Sequence, residues 1–195
     1  MKLWTKIALL VLVQIGALVA MIANKQWTLN TGTPVLLQTA PVDPRSLFMG
    51  DYARLAYSIS QLPLDGAAAL AGDKDFKPHD TVWVALRLEP DGAKAVSVHH
   101  QRSAIGPGLL ALQGEVQFTN MQSFDRSSNK TVAQRSLQVR YGIEQYYVPE
   151  GSGRQLERPQ GGEKVSILVA IDARGKAGIL AVLLDGKERY RETLF

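Results

Sequence analysis

The run Ile7 to Ala23, IALLVLVQIGALVAMIA, carries no charge, and Gln14 is its only strongly polar side chain. As an α-helix, the stretch from Trp4 to Trp27 would span about 35 Å at about 1.5 Å per residue, which sets the two indoles near the two headgroup layers of a bilayer. The segment is therefore read as a membrane-spanning helix that contacts the lipid bilayer through Ile7 to Ala23, with residues 1–27 as anchor and 28–195 as a folded domain. A cleaved signal peptide shares the Lys-bearing start and the apolar run. Met21, Ile22 and Ala23 lack the small-x-small pattern of a cleavage site, which favours an uncleaved anchor. Lys2, Lys6 and the α-amino group precede the span and Lys25 alone follows it closely, so the positive-inside rule predicts an N-terminus in the cytoplasm and a C-terminal domain outside.

The rest of the chain bounds the chemistry. There is no cysteine among the 195 residues, which removes disulfides, thiol catalysis and thiolate metal sites. Setting aside Lys2, Lys6 and Lys25, the 22 basic residues fall to 19 against 18 acidic ones, a net of +1. A near-neutral domain with interspersed signs is a poor polyanion binder, and no nucleic-acid partner is expected.

Asn30 to Pro34, NTGTP, reads as a short polar link, and Val35 to Ala40 as a first strand. Alternation of apolar and polar residues then predicts a hairpin of Thr81 to Glu89 with Lys94 to His100, joined at Pro90, Asp91 and Gly92. In its first strand Val82, Val84, Leu86 and Leu88 share a face. Leu109 to Thr119 puts Leu110, Leu112, Val116 and Phe118 together, and Leu137, Val139 and Tyr141 mark a further strand bent at Gly142. A last hairpin joins Lys164 to Asp172 with Ala177 to Leu184, followed by Glu188 to Arg191. Leu62 to His79 reads as a surface excursion with a helical turn at Asp65 to Leu70, Asn120 to Gln134 as a solvated loop, and Arg154 to Glu157 as one helical turn. Eight to ten short strands argue for an all-β fold, a single β-barrel or sandwich domain following one N-terminal transmembrane helix.

The organising strand is Gly50 to Ser60, GDYARLAYSIS. Period two puts Ala53, Leu55, Tyr57 and Ile59 on a core face and Tyr52, Arg54, Ala56 and Ser58 on the other. Gly50 and Asp51 predict a sharp turn leading into it. With Gly50, Asp51, Tyr52, Leu55 and Tyr57 in register, the string resembles the signature of the GDYXXLXY protein family. YGIEQYYVPEG, Tyr141 to Gly151, is similar to that family's second characteristic segment. The resemblance implies a small bacterial membrane-anchored protein of the cytoplasmic (inner) membrane, and it carries over no catalytic residues, because the family has no assigned biochemical role.

Candidate sites follow. Asp43, Arg45, Asp51 and Arg54 gather two acids and two bases around prolines and a glycine; with Tyr52 and Glu144 they form a candidate surface for a ligand or protein partner, against the alternative of a salt-linked turn. Glu144, Glu150 and Glu157 lie near Tyr141, Tyr146 and Tyr147, but carboxylates do acid and base work only if burial and separation push their pKa values apart. His99 and His100 point to opposite faces of a strand and cannot easily share a metal, so no metal and no cofactor is expected. Pro44, Leu47, Gly50 and Asp51 faintly resemble a run in bacterial type I signal peptidases, yet Pro41 stands where the nucleophilic serine would be. Lys94 has no partner to deprotonate, and Ser46 no identifiable base. The expected function is a membrane-anchored, extracytoplasmic accessory or interaction protein working with an integral membrane protein. The competing class is an envelope hydrolase or ligand-binding enzyme, and no catalytic residue is assigned.

Overall fold

A single helix, α1 (Leu3–Thr31), runs through the apolar stretch and past Trp27. Its apolar window is unburied, and the helix is long and apolar enough to cross a membrane. The computed structural model describes residues 3–40, 52–66, 69–120, 123–125, 130–132, 135–147 and 164–192. The polar link expected over Asn30 to Pro34 is helix in its first half. Gln26 Nε2 donates to Asn30 Oδ1 at 2.9 Å and Thr31 Oγ1 to the Trp27 carbonyl at 2.8 Å, so the polar side chains bond within the helix. Gly32 alone separates α1 from the first strand, β1 (Thr33–Ala40).

The strands that follow are β2 (Tyr52–Arg54), β3 (Ala56–Tyr57), β4 (Gln61–Pro63), β5 (Ala71–Gly72), β6 (Thr81–Glu89), β7 (Gly92–His99), β8 (Leu110–Asn120), β9 (Ser123–Asp125), β10 (Lys130–Val132), β11 (Ser136–Arg140), β12 (Gln145–Tyr147), β13 (Val165–Ile171), β14 (Ala177–Leu184) and β15 (Lys187–Arg191). One curled sheet has the order β15-β14-β13-β1-β3 and the other β4-β11-β8-β6-β7-β5, with two-stranded ribbons β2-β12 and β9-β10. Register shifts in the β6-β7, β8-β11, β13-β14 and β14-β15 pairs mark bulges, which bend strands and curl the sheets into a half-barrel. The domain is all-β, as expected. Between the sheets lies one core of Val82, Val84, Leu86, Leu112, Leu137, Ile167 and their neighbours.

Both predicted hairpins are present. Within the organising stretch Leu55, Tyr57 and Ile59 are buried and Ser58 is exposed, but the strand breaks at Leu55 and ends at Tyr57: Ser58 to Ser60 form a turn, closed by the Ser60 amide on the Tyr57 carbonyl, and the side chains of Tyr52, Ala53 and Arg54 lie outside the described residues. Other readings are corrected. Phe118 is exposed although it shares parity with Leu112 and Val116, because Val116 pairs with Val139 and Phe118 with Gln138, leaving Gln117 as an extra residue that reverses the alternation. Leu88 is exposed too, at the end of β6 beside the turn, where alternation fixes a face but not what covers it. The supposed excursion from Leu62 to His79 delivers Leu62, Leu64 and Phe76 to the core and contains β4 and β5, and no helix appears among its described residues. The loop expected over Asn120 to Gln134 includes the β9-β10 ribbon. Arg154 to Glu157 lies outside the described residues.

Ile59→Val should cost about 0.5 to 1.5 kcal/mol as a buried methylene deletion. Ser58→Ala, one residue away on the exposed face, should stay within about 0.5 kcal/mol. A denaturant titration of the full chain in detergent checks both, and equal losses would contradict the assignment.

Candidate functional site

The organising strand changes partners at Leu55. Upstream, β2 pairs with β12, setting Arg54 opposite Gln145 and Tyr52 opposite Tyr147; downstream, β3 pairs with β1. The Leu55 amide donates to the Glu144 carbonyl at 2.8 Å. The described parts of two segments some ninety residues apart in the chain, Tyr52 to Ser60 and Tyr141 to Tyr147, are thus hydrogen-bonded neighbours.

Their tyrosines bond across the joint reciprocally. Tyr57 Oη donates to the Ile143 carbonyl at 2.5 Å, and Tyr141 Oη donates to the Ile59 carbonyl at 2.6 Å. A buried phenol needs a partner for its tip, and each tyrosine finds it in the backbone of the other's segment. Burial first, then the nearby Glu144 carboxylate, pushes both phenols far above their ordinary value, so they stay protonated donors. Glu144 itself closes the turn: its two oxygens accept the amides of Tyr141 at 2.5 Å and Gly142 at 2.9 Å, and Gly142 takes φ +79°, open to glycine without strain.

Outside this joint lies an open cleft of about 490 Å³ whose lining includes Gln113, Glu115, Arg140, Glu144, Gln145 and Lys176. Cross-strand register puts Arg140 opposite Glu115, where Arg140 Nη2 donates to Glu115 Oε2 at 2.9 Å. His79 Nδ1 lies 2.9 Å from Glu115 Oε1. The His79 bond first and the Arg140 bond next hold the Glu115 carboxyl below its usual range. The Lys176 side chain makes no hydrogen bond or ion pair among the described residues. The lining is charged, and among the described residues no nucleophile and base are in contact in it.

Of the residues singled out from sequence, Asp43, Arg45 and Asp51 lie outside the described residues, as does Ser46. Tyr52 and Arg54 are described as backbone only, in β2 beside Gln145 to Tyr147. Glu144 joins them there through its backbone, with its carboxylate committed to the turn. Lys94 is exposed on β7 and paired with Glu89, whose hydrogen bond raises the Lys94 pKa, the opposite of what a general-base lysine requires. His99 bonds Ser97 and His100 bonds Asp73, on opposite faces of the strand end, and among the described residues no cluster of three or more His, Asp or Glu is arranged to hold a metal.

A second constellation, at the foot of the domain, escaped the sequence reading. The buried Asp172 carboxylate, in the β13-β14 turn, accepts the amides of Arg174 at 2.9 Å and Lys176 at 3.0 Å on Oδ1. On Oδ2 it accepts Arg174 Nε at 3.0 Å, Arg174 Nη2 at 2.7 Å and the Thr28 hydroxyl at 2.9 Å. Arg174 Nη1 also donates to Asn24 Oδ1 at 2.7 Å, one helical turn below Thr28. Burial acts to raise the Asp172 pKa, but the Arg174 bond, the Lys176 amide, the Thr28 hydroxyl and the Arg174 amide together leave it below the ordinary carboxylate range. A Cβ on Gly32 would lie 2.6 Å from the Thr28 carbonyl and 2.9 Å from the Ile171 amide, so the helix end meets the sheet closely enough to require glycine. Asp-Ala-Arg-Gly-Lys is legible as a turn, but nothing local in it points to a helix 144 residues away.

The sequence profile of the GDYXXLXY protein family matches residues 14–182. No curated protein and no solved structure matches the chain.

Proposed function

Because this chain belongs to the GDYXXLXY protein family, whose two signature segments here bind each other, we propose that it is a single-pass, membrane-anchored interaction protein of the bacterial envelope. Its β domain lies outside the cytoplasm, in the periplasm, and docks an integral membrane protein. One observation carries this reading: the polar atoms of Tyr57, Tyr141 and Glu144 are committed to internal bonds, while the charges beside them, Glu115, Arg140 and Lys176, line an open cleft. Such a surface discriminates partners through charge sign and shape. The joint then presents the cleft, and the docked helix holds it at a fixed height above the bilayer.

The test is complementation in a deletion strain, with orientation reported by a C-terminal fusion active only outside the cytoplasm. Arg140→Glu together with Lys176→Glu should abolish complementation while circular dichroism stays unchanged. Ser46→Ala and Lys94→Ala should complement fully. Loss through either of these in a folded protein would establish a hydrolase instead, and a fusion active only in the cytoplasm would reverse the topology.

A further inference from the structure

A crevice of about 540 Å³ lies between the foot of α1 and the segment linking β7 to β8, lined by Thr31, Thr33, Arg102, Ser103, Ile105 and Leu109 among others. We infer that it takes the headgroup of an anionic phospholipid, with the phosphodiester on Arg102 and the glycerol end along Ile105 and Leu109. The inference rests on the proposed membrane-spanning role of α1.

Depth is the first argument. Thr31 lies four residues past Trp27, about 6 Å along the helix axis. With Trp27 at the outer interface, and a headgroup layer of about 5 to 8 Å on each side of the hydrocarbon, the crevice opens at the level of lipid phosphates. The clamp fixes that height: Asp172 and Arg174 grip Thr28 and Asn24, and Asp172 also lines this crevice. The domain cannot lift away without breaking those bonds.

Charge and polarity are the second. The Arg102 guanidinium, exposed in the short 3₁₀ turn Arg102–Ala104, makes no hydrogen bond or ion pair among the described residues. Lys25, on α1, is likewise without such a bond. Asp172, the acid at the crevice wall, is neutralised by Arg174 at 2.7 Å. A free, planar, bidentate donor beside the hydroxyls of Ser103, Thr31 and Thr33 suits a phosphate, and the apolar side chains beside it suit the acyl-glycerol junction.

The chain has no cysteine, so Ala104→Cys supplies one labelling position in the full-length protein. The labelled protein is placed in nanodiscs of phosphatidylcholine with or without phosphatidylglycerol, each doped with a headgroup-level quencher. Both disc faces are open, so insertion direction does not matter. A chain that fails to co-elute with discs defeats the membrane-spanning reading before any label is read. In discs that carry the chain, quenching should rise about fivefold with phosphatidylglycerol, the scale of one cation at an anionic surface. It should fall back in Arg102→Gln and persist in Arg87→Gln, an exposed control on β6, with circular dichroism unchanged in both. Equal quenching in the two disc types, or equal loss in both variants, would overturn the inference. So would full competition by millimolar inorganic phosphate, which would assign the crevice to a soluble anion.

Discussion

Asp172→Ala should lower the stability of the full chain in detergent by about 2 to 4 kcal/mol, although the residue lies in a hairpin turn and far from the centre of the core. Its carboxylate gathers two amides, two guanidinium nitrogens and the Thr28 hydroxyl. Breaking a buried charge pair from one side costs about 3 to 5 kcal/mol, because the remaining groups stay desolvated and unpaired. The figure here is set lower because the Arg174 side chain is 50% exposed and can return to water. The loss should be local first: hydrogen exchange of the amides from Asn24 to Gly32 should accelerate at denaturant concentrations where the β6 and β8 amides remain protected. Unchanged exchange at the helix end would mean that the clamp does not hold α1 to the domain.

The same group sets a pH dependence with a definite sign. The folded Asp172 pKa is lowered relative to the unfolded chain. Its contribution is therefore present above the unfolded value, about 4, and is lost as pH falls through the folded value. Asp172→Asn, which keeps the shape and loses the charge, should trail the wild type at pH 7, and the gap should close as the pH is taken below about 4. A gap that stays constant to pH 2.5 would show that charge is not what the turn contributes.

What the sequence made legible was what local pattern can encode. Period-two runs located the hairpins of β6 with β7 and β13 with β14, and the burial of Leu55 and Tyr57 followed from the same rule, whereas Ile59 is buried from the turn that ends the strand. The rule fails where a strand gains a residue: Gln117 turns Phe118 outward, and no residue type there announces a bulge. It also fails where a polar segment is held by distant atoms. Asn30 and Thr31 read as linker by composition, yet they complete a helix whose end is gripped from β13 and β14. The cleft was hidden for a related reason, since Glu115 and Arg140 become neighbours only through the register of β8 with β11. Glu144 was identified as a candidate and is indeed at the joint, but its carboxylate closes a turn, a use its spacing from other acids could not disclose.

The tyrosine clasp gives the largest expected effect. Tyr141→Ala and Tyr57→Ala should each cost about 3 to 5 kcal/mol, the range for truncating a buried aromatic side chain. The phenylalanine variants separate packing from bonding. Tyr57→Phe leaves the Ile143 carbonyl without its phenol donor and Tyr141→Phe leaves the Ile59 carbonyl without its own, at about 1 to 3 kcal/mol each. Because each hydroxyl is seated in the segment that carries the other ring, loss of one should loosen the other, and the double phenylalanine variant should depart from additivity by at least about 0.5 kcal/mol. Urea titration of the wild type, the two single phenylalanine variants and the double variant measures this directly. Strict additivity would mean two independent bonds and no clasp, and an alanine cost below about 1 kcal/mol would show that these tyrosines do not hold the two signature segments together. A clasp confirmed in this way would explain why both tyrosines are built into the joint: the segment from Tyr141 to Gln145, which lines the cleft, is held in place by bonds to the Tyr57 and Ile59 side of the joint.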